Sequence, residues 1–353
     1  MLAVYDTGVY RDVAEVWTLL TGATLTTNLK AEGAYYSETD KFYITNGTDN
    51  VVVYTSGASA TTAASFKKGT WIESFDGRLV TGGVSTQEDY LWVTDLGVDT
   101  FGANNYQRAE GKLLAGKVLS HRLLLVWSDR KLYKVTGFTS SPNASGPESF
   151  FTIAEVGLVG TRAVTVLDNS AYFVGLDSQN TIDVFVTSGQ GIFRIGSSKI
   201  KNYLSGLAAG SLTNLTMIND GRYIRFSASP SGETTNIREY IFDTLTRKWQ
   251  SEFRLQFPVS CYTVSKVSSA YTVFAGHQSL GLVKKLNTGR YDEIIDQSYT
   301  AGQDTDESLA GATTTRVSQG FKLSHSVSVT RYVTGGAILL KKVSGTTTEL
   351  TVR

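Results

Sequence analysis

Cysteine is nearly absent from this chain. Cys261 stands alone among 353 residues, which excludes an intramolecular disulfide and a cysteine-based metal site. Its neighbours Val259, Tyr262 and Val264 alternate as in a strand, so a buried, inert thiol is expected, with a reactive one as the alternative. Histidine is scarce too. His121, His277 and His325 lie beside three different strand patterns, with no HxH or HExxH spacing, so each is expected to have a structural or surface role. An excess of one charge is missing: 33 Lys and Arg face 32 Asp and Glu, for a net charge of +1. A protein that grips nucleic acid tightly needs clustered cations to neutralise phosphates, and that balance argues against it. Long hydrophobic runs are also lacking. The longest, residues 123–127, is far short of a membrane span, so no membrane insertion is expected. Asp6, Arg11, Asp12 and Glu15 within the first twenty residues do not form a signal peptide, and assembly in a reducing cytoplasm is the expectation. Four prolines against 34 glycines leave the turns mostly to Gly, Asn, Asp and Ser.

What is present is alternation. Residues 170–196 make the clearest unit: Tyr172, Val174 and Leu176 alternate with Phe173 and Gly175, a polar turn follows at 177–181, and 183–187 alternates again before a Gly-flanked turn. Period-2 alternation places successive side chains on opposite faces of a sheet. The same grammar recurs at 41–45 with 51–55, at 76–83 with 90–94, and at 121–129 with 131–136. It returns at 222–229 with 238–243 and 248–252, and at 270–276 with 281–286. The units begin about 35 to 50 residues apart, the spacing of four-stranded propeller blades. Residues 3–20 resemble the outer strands of a partial unit. The expected fold is therefore all-β, a β-propeller of about six to seven blades over residues 1–295, with a C-terminal β extension. A polar linker is expected at 296–314, and strands at 321–331 and 337–343 within a C-terminal β segment, 315–353, that closes the ring or begins a further domain. Residues 200–215 are expected to make a short helical turn, limited by Gly206 and Gly210. The chain ends in an unfinished strand pattern, as a portion of a longer protein would.

No catalytic, cofactor or metal residue is assigned. The Ser188–Gly191 text, SGQG, lacks the Lys and helix of a phosphate loop and reads as a turn. Asn46, Asp49 and Asn50 lack the spacing of a calcium loop, which leaves a polar hairpin turn. Ser128 and Asp129 with Gly137 do not complete an Asp-box, and no GxSxG elbow is present. Trp17, Trp71, Trp92, Trp127 and Trp249 admit two uses, packing between blades or stacking against sugars, and packing is favoured where they lie in strand patterns.

Several phrases are familiar together: FDGRLVTGG, YLWVTDLGVDTFG, HRLLLVWSDRKLYKVTG, VGLVGTRAVTVLDNSAYFVG, VTSGQGIFRIG and YIFDTLTRKWQSE. In this order they resemble the propeller of bacteriophage tail proteins, the packaged-DNA stabilisation and tail nozzle proteins of short-tailed phages. The matching positions are Gly77 to Leu79, Leu91 to Asp95, Gly160 to Val164, Gly191 to Phe193 and Tyr240 to Trp249, and the likeness covers about residues 70–255. The chain departs from that pattern by lacking the long region before the first blade. The resemblance implies a non-enzymatic virion protein of the tail, assembled in the host cytoplasm. It implies a homo-oligomeric ring, hexameric in the family, that docks on an adaptor or connector, carries tail fibre proteins, and retains and guides the genome with transient, non-specific DNA contact. Two other readings are a propeller that binds or cleaves carbohydrate in host attachment, and a generic protein-interaction propeller; the WD and GH signatures of the latter are missing.

Overall fold

The computed structural model describes residues 2–13, 16–27, 29–138, 149–229, 233–250, 253–255, 257–267, 270–277, 283–286, 293–294, 338–342 and 348–352. Six antiparallel sheets follow one another along the chain as six blades, spanning 32–63, 71–108, 113–154, 156–194, 216–254 and 259–294. Each blade is built from strands that are close together along the chain, and among the described residues no blade takes a strand from the far end of the sequence. The innermost strands are Glu32–Tyr36, Trp71–Phe75, Leu113–Ser120, Val164–Leu167, Thr216–Asn219 and Val259–Val267, and each lies beside the next.

Every hairpin expected from alternation is present, but those strands are the second and third of each blade, not the innermost ones. Lys41–Thr45 pairs with Val51–Tyr54, Arg78–Gly82 with Tyr90–Thr94, and Leu123–Ser128 with Leu132–Val135. Ser170–Asp177 pairs with Ile182–Thr187, Tyr223–Ala228 with Arg238–Asp243, and Ala270–His277 with Val283–Leu286. Two-residue turns feed several second strands. Asp76 and Gly77 have φ of 51° and 66°, and Asp168 and Asn169 have 48° and 58°, the left-handed pairs whose twist matches flanking strands. The last residue of a second strand then organises the next turn. Asp177 accepts from the N–H groups of Gln179 and Thr181, and Ser128 from those of Arg130 and Lys131.

Large side chains on facing sheets join the blades. The main cluster runs through the third to fifth blades, from Trp127 through Phe173 and Phe185 to Phe226 and Tyr240. Trp71 lies flat against the backbone of the third blade, where a Cβ on Gly116 would come within 2.3 Å of its ring. Gly157, at the start of the fourth blade, meets the carbonyl of Asp129 in the third, 2.1 Å from where its Cβ would stand. Backbone cannot swing aside as a side chain can. We therefore expect Gly157→Ala to cost about 1–3 kcal/mol through overpacking, read as a lower urea midpoint with an unchanged m-value.

Residues 200–215 form two helices, α1 (Ser198–Ser205) and α2 (Ala209–Thr213). Ser197 caps α1 by accepting from the Ile200 N–H, Ile200 and Leu204 bury one face four residues apart, and the chain leaves the helix at Gly206. The N-terminal unit is not a partial blade. Leu2–Tyr5, Gly8–Val13 and Val16–Leu19 form a separate three-stranded sheet. Val9, Leu20 and Leu25 pack on Ile44, Val52 and Ala60 of the first blade. Near the other end Ile338–Lys342 pairs with Thr348–Val352, in agreement with the strand expected at 337–343. The expected linker at 296–314, the strand at 321–331 and His325 lie outside the described residues.

Candidate functional site at the centre of the ring

The innermost strand of the fourth blade is broken. Val156–Leu158 and Val164–Leu167 both pair with Ser170–Asp177, and residues 159–163 loop out between them. A turn closed by the Ala163 N–H on the Gly160 carbonyl shapes this loop, which carries Arg162 toward the axis. Gly160 is required because its Cβ would stand 2.8 Å from the carbonyl of Thr213 at the end of α2.

From there Arg162 reaches two other blades. Its Nε donates to Glu32 Oε1 at 2.7 Å and its Nη2 to the Ala31 carbonyl at 2.7 Å, both at the start of the first blade. Its Nη1 donates to the Ser260 carbonyl of the sixth blade at 3.2 Å. One planar guanidinium, with donors fixed in a fork, thus ties the first and last blades across the seam where the ring closes. A second tie runs alongside, with Lys30 Nζ donating to the Thr213 carbonyl. Beside them Lys117 Nζ donates to Glu73 Oε1 at 2.5 Å, joining the innermost strands of the second and third blades.

These groups are enclosed by protein yet wet. The side chains of Arg162, Glu32, Lys117 and Glu73 keep 17%, 26%, 33% and 21% of their surface in contact with water, as expected of a narrow polar channel. Burial pulls the Arg162 pKa down, but Glu32 and Cys261 beside it pull harder, and the net shift is upward. Lys117 behaves alike: burial opposes its charge, Glu73 and Glu32 favour it, and the net shift is again upward. Lys30 goes the other way. Burial and the Arg162 charge lower its pKa to about 8, against a smaller opposing pull from Glu32.

The sign of the resulting pH effect follows from proton counting. Between about 8 and the ordinary lysine value of 10.5 the unfolded chain holds a proton on Lys30 that the folded chain has released. Stability therefore rises with pH across that window, and the Lys30 contribution is least favourable below it. Urea midpoints of the wild type minus those of Lys30→Met, measured from pH 7 to pH 10.5, are expected to climb through pH 8; a flat difference would remove the assignment.

The arrangement pairs Arg162 with Glu32 and Lys117 with Glu73, with Lys30 held on a backbone carbonyl beside them, and its chemistry is to hold strands together. Alternation did not point to these residues, because it seeks apolar faces. A signal was nonetheless present: a single charge set between apolar neighbours inside a strand, as in Trp71-Ile72-Glu73-Ser74-Phe75 and Ala115-Gly116-Lys117-Val118. Arg162 falls within the familiar Gly160 to Val164 phrase, whose role here is to break the strand.

The residues weighed from sequence are dispersed. Trp71, Trp92 and Trp127 are core residues, while Trp249 is half-buried between Phe226 and Phe242. Trp17 is half-buried in the N-terminal sheet. Cys261 is only partly buried, because the sixth blade turns it toward the channel near Arg162, and this corrects the expectation of a fully buried thiol. His121 stands exposed in a turn and His277 stacks on Phe257 at 6.2 Å. In the SGQG turn Thr187 Oγ1 accepts from the Gly189 N–H and donates to the Gly191 carbonyl, which is turn chemistry. Asn46 Oδ1 accepts from the Thr48 and Asp49 N–H groups, and Asp49 in turn accepts from Asn46 and from Thr26. Those oxygens are occupied in pinning the connection between the N-terminal sheet and the first blade. Asp129 Oδ1 similarly accepts from the Lys112 N–H. Among the described residues no three His, Cys, Asp or Glu side chains converge as metal ligands do.

No family model matches the chain, and no curated protein matches it by sequence. Solved structures do. A putative 6-phosphogluconolactonase from Bacteroides uniformis shares 9% identity at a TM-score of 0.54, over 82% of this chain and 92% of that one. The WD40 domain of Toxoplasma gondii coronin aligns at 11% identity and a TM-score of 0.49, over 79% of this chain and 74% of that one. At such identities a likeness speaks for the fold alone. With its six sequentially paired blades, this chain is a β-propeller.

Proposed function

We propose that this propeller is a structural, non-enzymatic subunit of a phage tail, one copy in a homo-oligomeric ring that retains the packaged genome and guides its exit. The reading rests on the resemblance of the phrases quoted above to those of tail nozzle proteins, among them the Gly160 to Val164 stretch. The observation that carries it is the mutual neutralisation at the axis. Arg162, Glu32, Lys117 and Glu73 hold one another and the backbone, as suits a rigid building block. The conduit in such an assembly lies between copies. Within one propeller Arg162 reaches from the fourth blade to both the first and the sixth, so the channel is crossed by a side chain. Near-neutral charge suits a wall past which DNA must slide, since each phosphate contact would add to binding. The partners of this role are an adaptor or connector ring, tail fibre proteins and, transiently, DNA, with the virion tail as the location.

Mass photometry and negative-stain imaging of the purified chain at micromolar concentration test the proposal. Closed rings, with six copies as the expected number, support it. A strictly monomeric particle, alone and with an adaptor ring added, overturns it.

A further inference from the structure

A cleft of about 360 Å³ opens where the N-terminal sheet meets the first blade. Its floor is aromatic. Tyr35 lies directly opposite Phe42 on the neighbouring strand, and Phe42 directly opposite Tyr54 on the next. Residues in register on adjacent strands share one face about 5 Å apart, so the three side chains line one face of the first blade in a row. Phe42 and Tyr54 also pack against the core beneath the N-terminal sheet, while Tyr35 keeps 54% of its surface exposed at the end of the row.

Polar groups stand around this row. Arg11, from the N-terminal sheet, lines the cleft with an Nε that is shielded from water and has no hydrogen-bond partner among the described residues. Arg11 brings a permanently charged guanidinium, with five N–H donors in all, to the cleft wall. Asp40, in the turn between the first two strands, accepts from the Tyr35 hydroxyl at 2.7 Å and has a φ of 52°. That bond holds the phenol in place, and the nearby carboxylate raises the Tyr35 pKa. Thr55 adds a hydroxyl at the rim.

We propose that this cleft binds a carboxylated sugar, the acidic unit of a surface polysaccharide. The C–H face of a pyranose stacks on aromatic rings, its hydroxyls suit Asp40 and Thr55, and its carboxylate suits the fork of Arg11. One cation beside one anion does not suit a di- or triphosphate, whose several charges would face Asp40. A purely apolar ligand would leave both Arg11 and Asp40 unsatisfied. The inference is independent of ring formation, since the cleft lies within one chain and its test reads ligand, not assembly.

Saturation-transfer NMR on the full chain, with oligogalacturonate and N-acetylneuraminic acid as probes, tests it. The neutral counterparts are galactose oligomers and the methyl esters of the two acids. Saturation is expected on the sugar-ring protons of the acids, with the esters and neutral sugars binding at least about tenfold more weakly, the loss of a charge-assisted hydrogen bond. Tyr35→Ala and Arg11→Gln are each expected to weaken binding by a similar factor. The ester comparison uses unaltered protein, so it decides the question even where a variant fails to fold. Equal binding of acid and ester, binding of neither acid, or a preference for adenosine monophosphate over both sugars would overturn the proposal.

Discussion

Replacing Arg162 with alanine is expected to lower the free energy of unfolding by about 3–5 kcal/mol, the cost of breaking a largely enclosed ion pair by removing one partner. The change leaves Glu32 without its cation, and the carbonyls of Ala31 and Ser260 without their donor, at the seam between the first and last blades. That seam matters more here than in a propeller whose last blade takes a strand from the chain's other end. Among the described residues each blade is built from its own stretch of chain, and no shared sheet bridges the closure. A folded domain has only about 5–15 kcal/mol in all, so the loss is a large fraction of it. Arg162→Lys keeps the charge but not the fork, and is expected to fall between wild type and alanine. Adding Glu32→Ala to Arg162→Ala is expected to recover part of the loss, because the orphaned carboxylate is then gone. Urea unfolding of the four proteins checks this. A shift within about 0.5 kcal/mol for Arg162→Ala, the scale of an ordinary surface change, would mean that packing alone holds the seam.

Trp127→Ala is expected to cost about 3–5 kcal/mol, the usual range for truncating a buried aromatic to alanine. Trp127 is fully buried, with its ring edge-to-face on Phe173 at 5.5 Å, so it couples the third blade to the fourth within the main cluster. Neighbouring side chains are themselves held in register by their strands and cannot collapse into the space. Trp127→Phe restores part of the volume and is expected to lose markedly less. Thermal and urea melts measure both. A small loss for Trp127→Ala would contradict a packed blade interface and return Trp127 to the surface role that its residue type alone also permits.

Much of the fold was legible because short apolar stretches between turn residues mark the strands. Arg78–Gly82 and Leu123–Ser128 are buried on both faces, Ser170–Asp177 is mostly buried, and each is bounded by residues that favour turns. Leaving the innermost strands unread has a physical cause. Such a strand has one neighbour within its blade and the ring centre on its other side, so its outward positions meet a polar channel. Glu73 and Lys117 interrupt the apolar text at those positions, and a search for apolar alternation passes over them. The N-terminal unit misled for a related reason. Its strands alternate as those of a blade do, and only the packing of Val9 and Leu20 on Ile44 and Val52 distinguishes a sheet laid against a blade from a blade in the ring.

The sequence by itself determined an all-β chain of repeated hairpins, the turns that join them, and the absence of disulfides, because each of these depends on residues close together along the chain. Only the tertiary structure decided the number of blades, the ring closure by Arg162, and the cleft between Arg11 and Tyr35. Those features depend on which distant residues meet. Arg162 lies 130 positions from Glu32 and 98 from Ser260, and no local pattern records contacts across such separations.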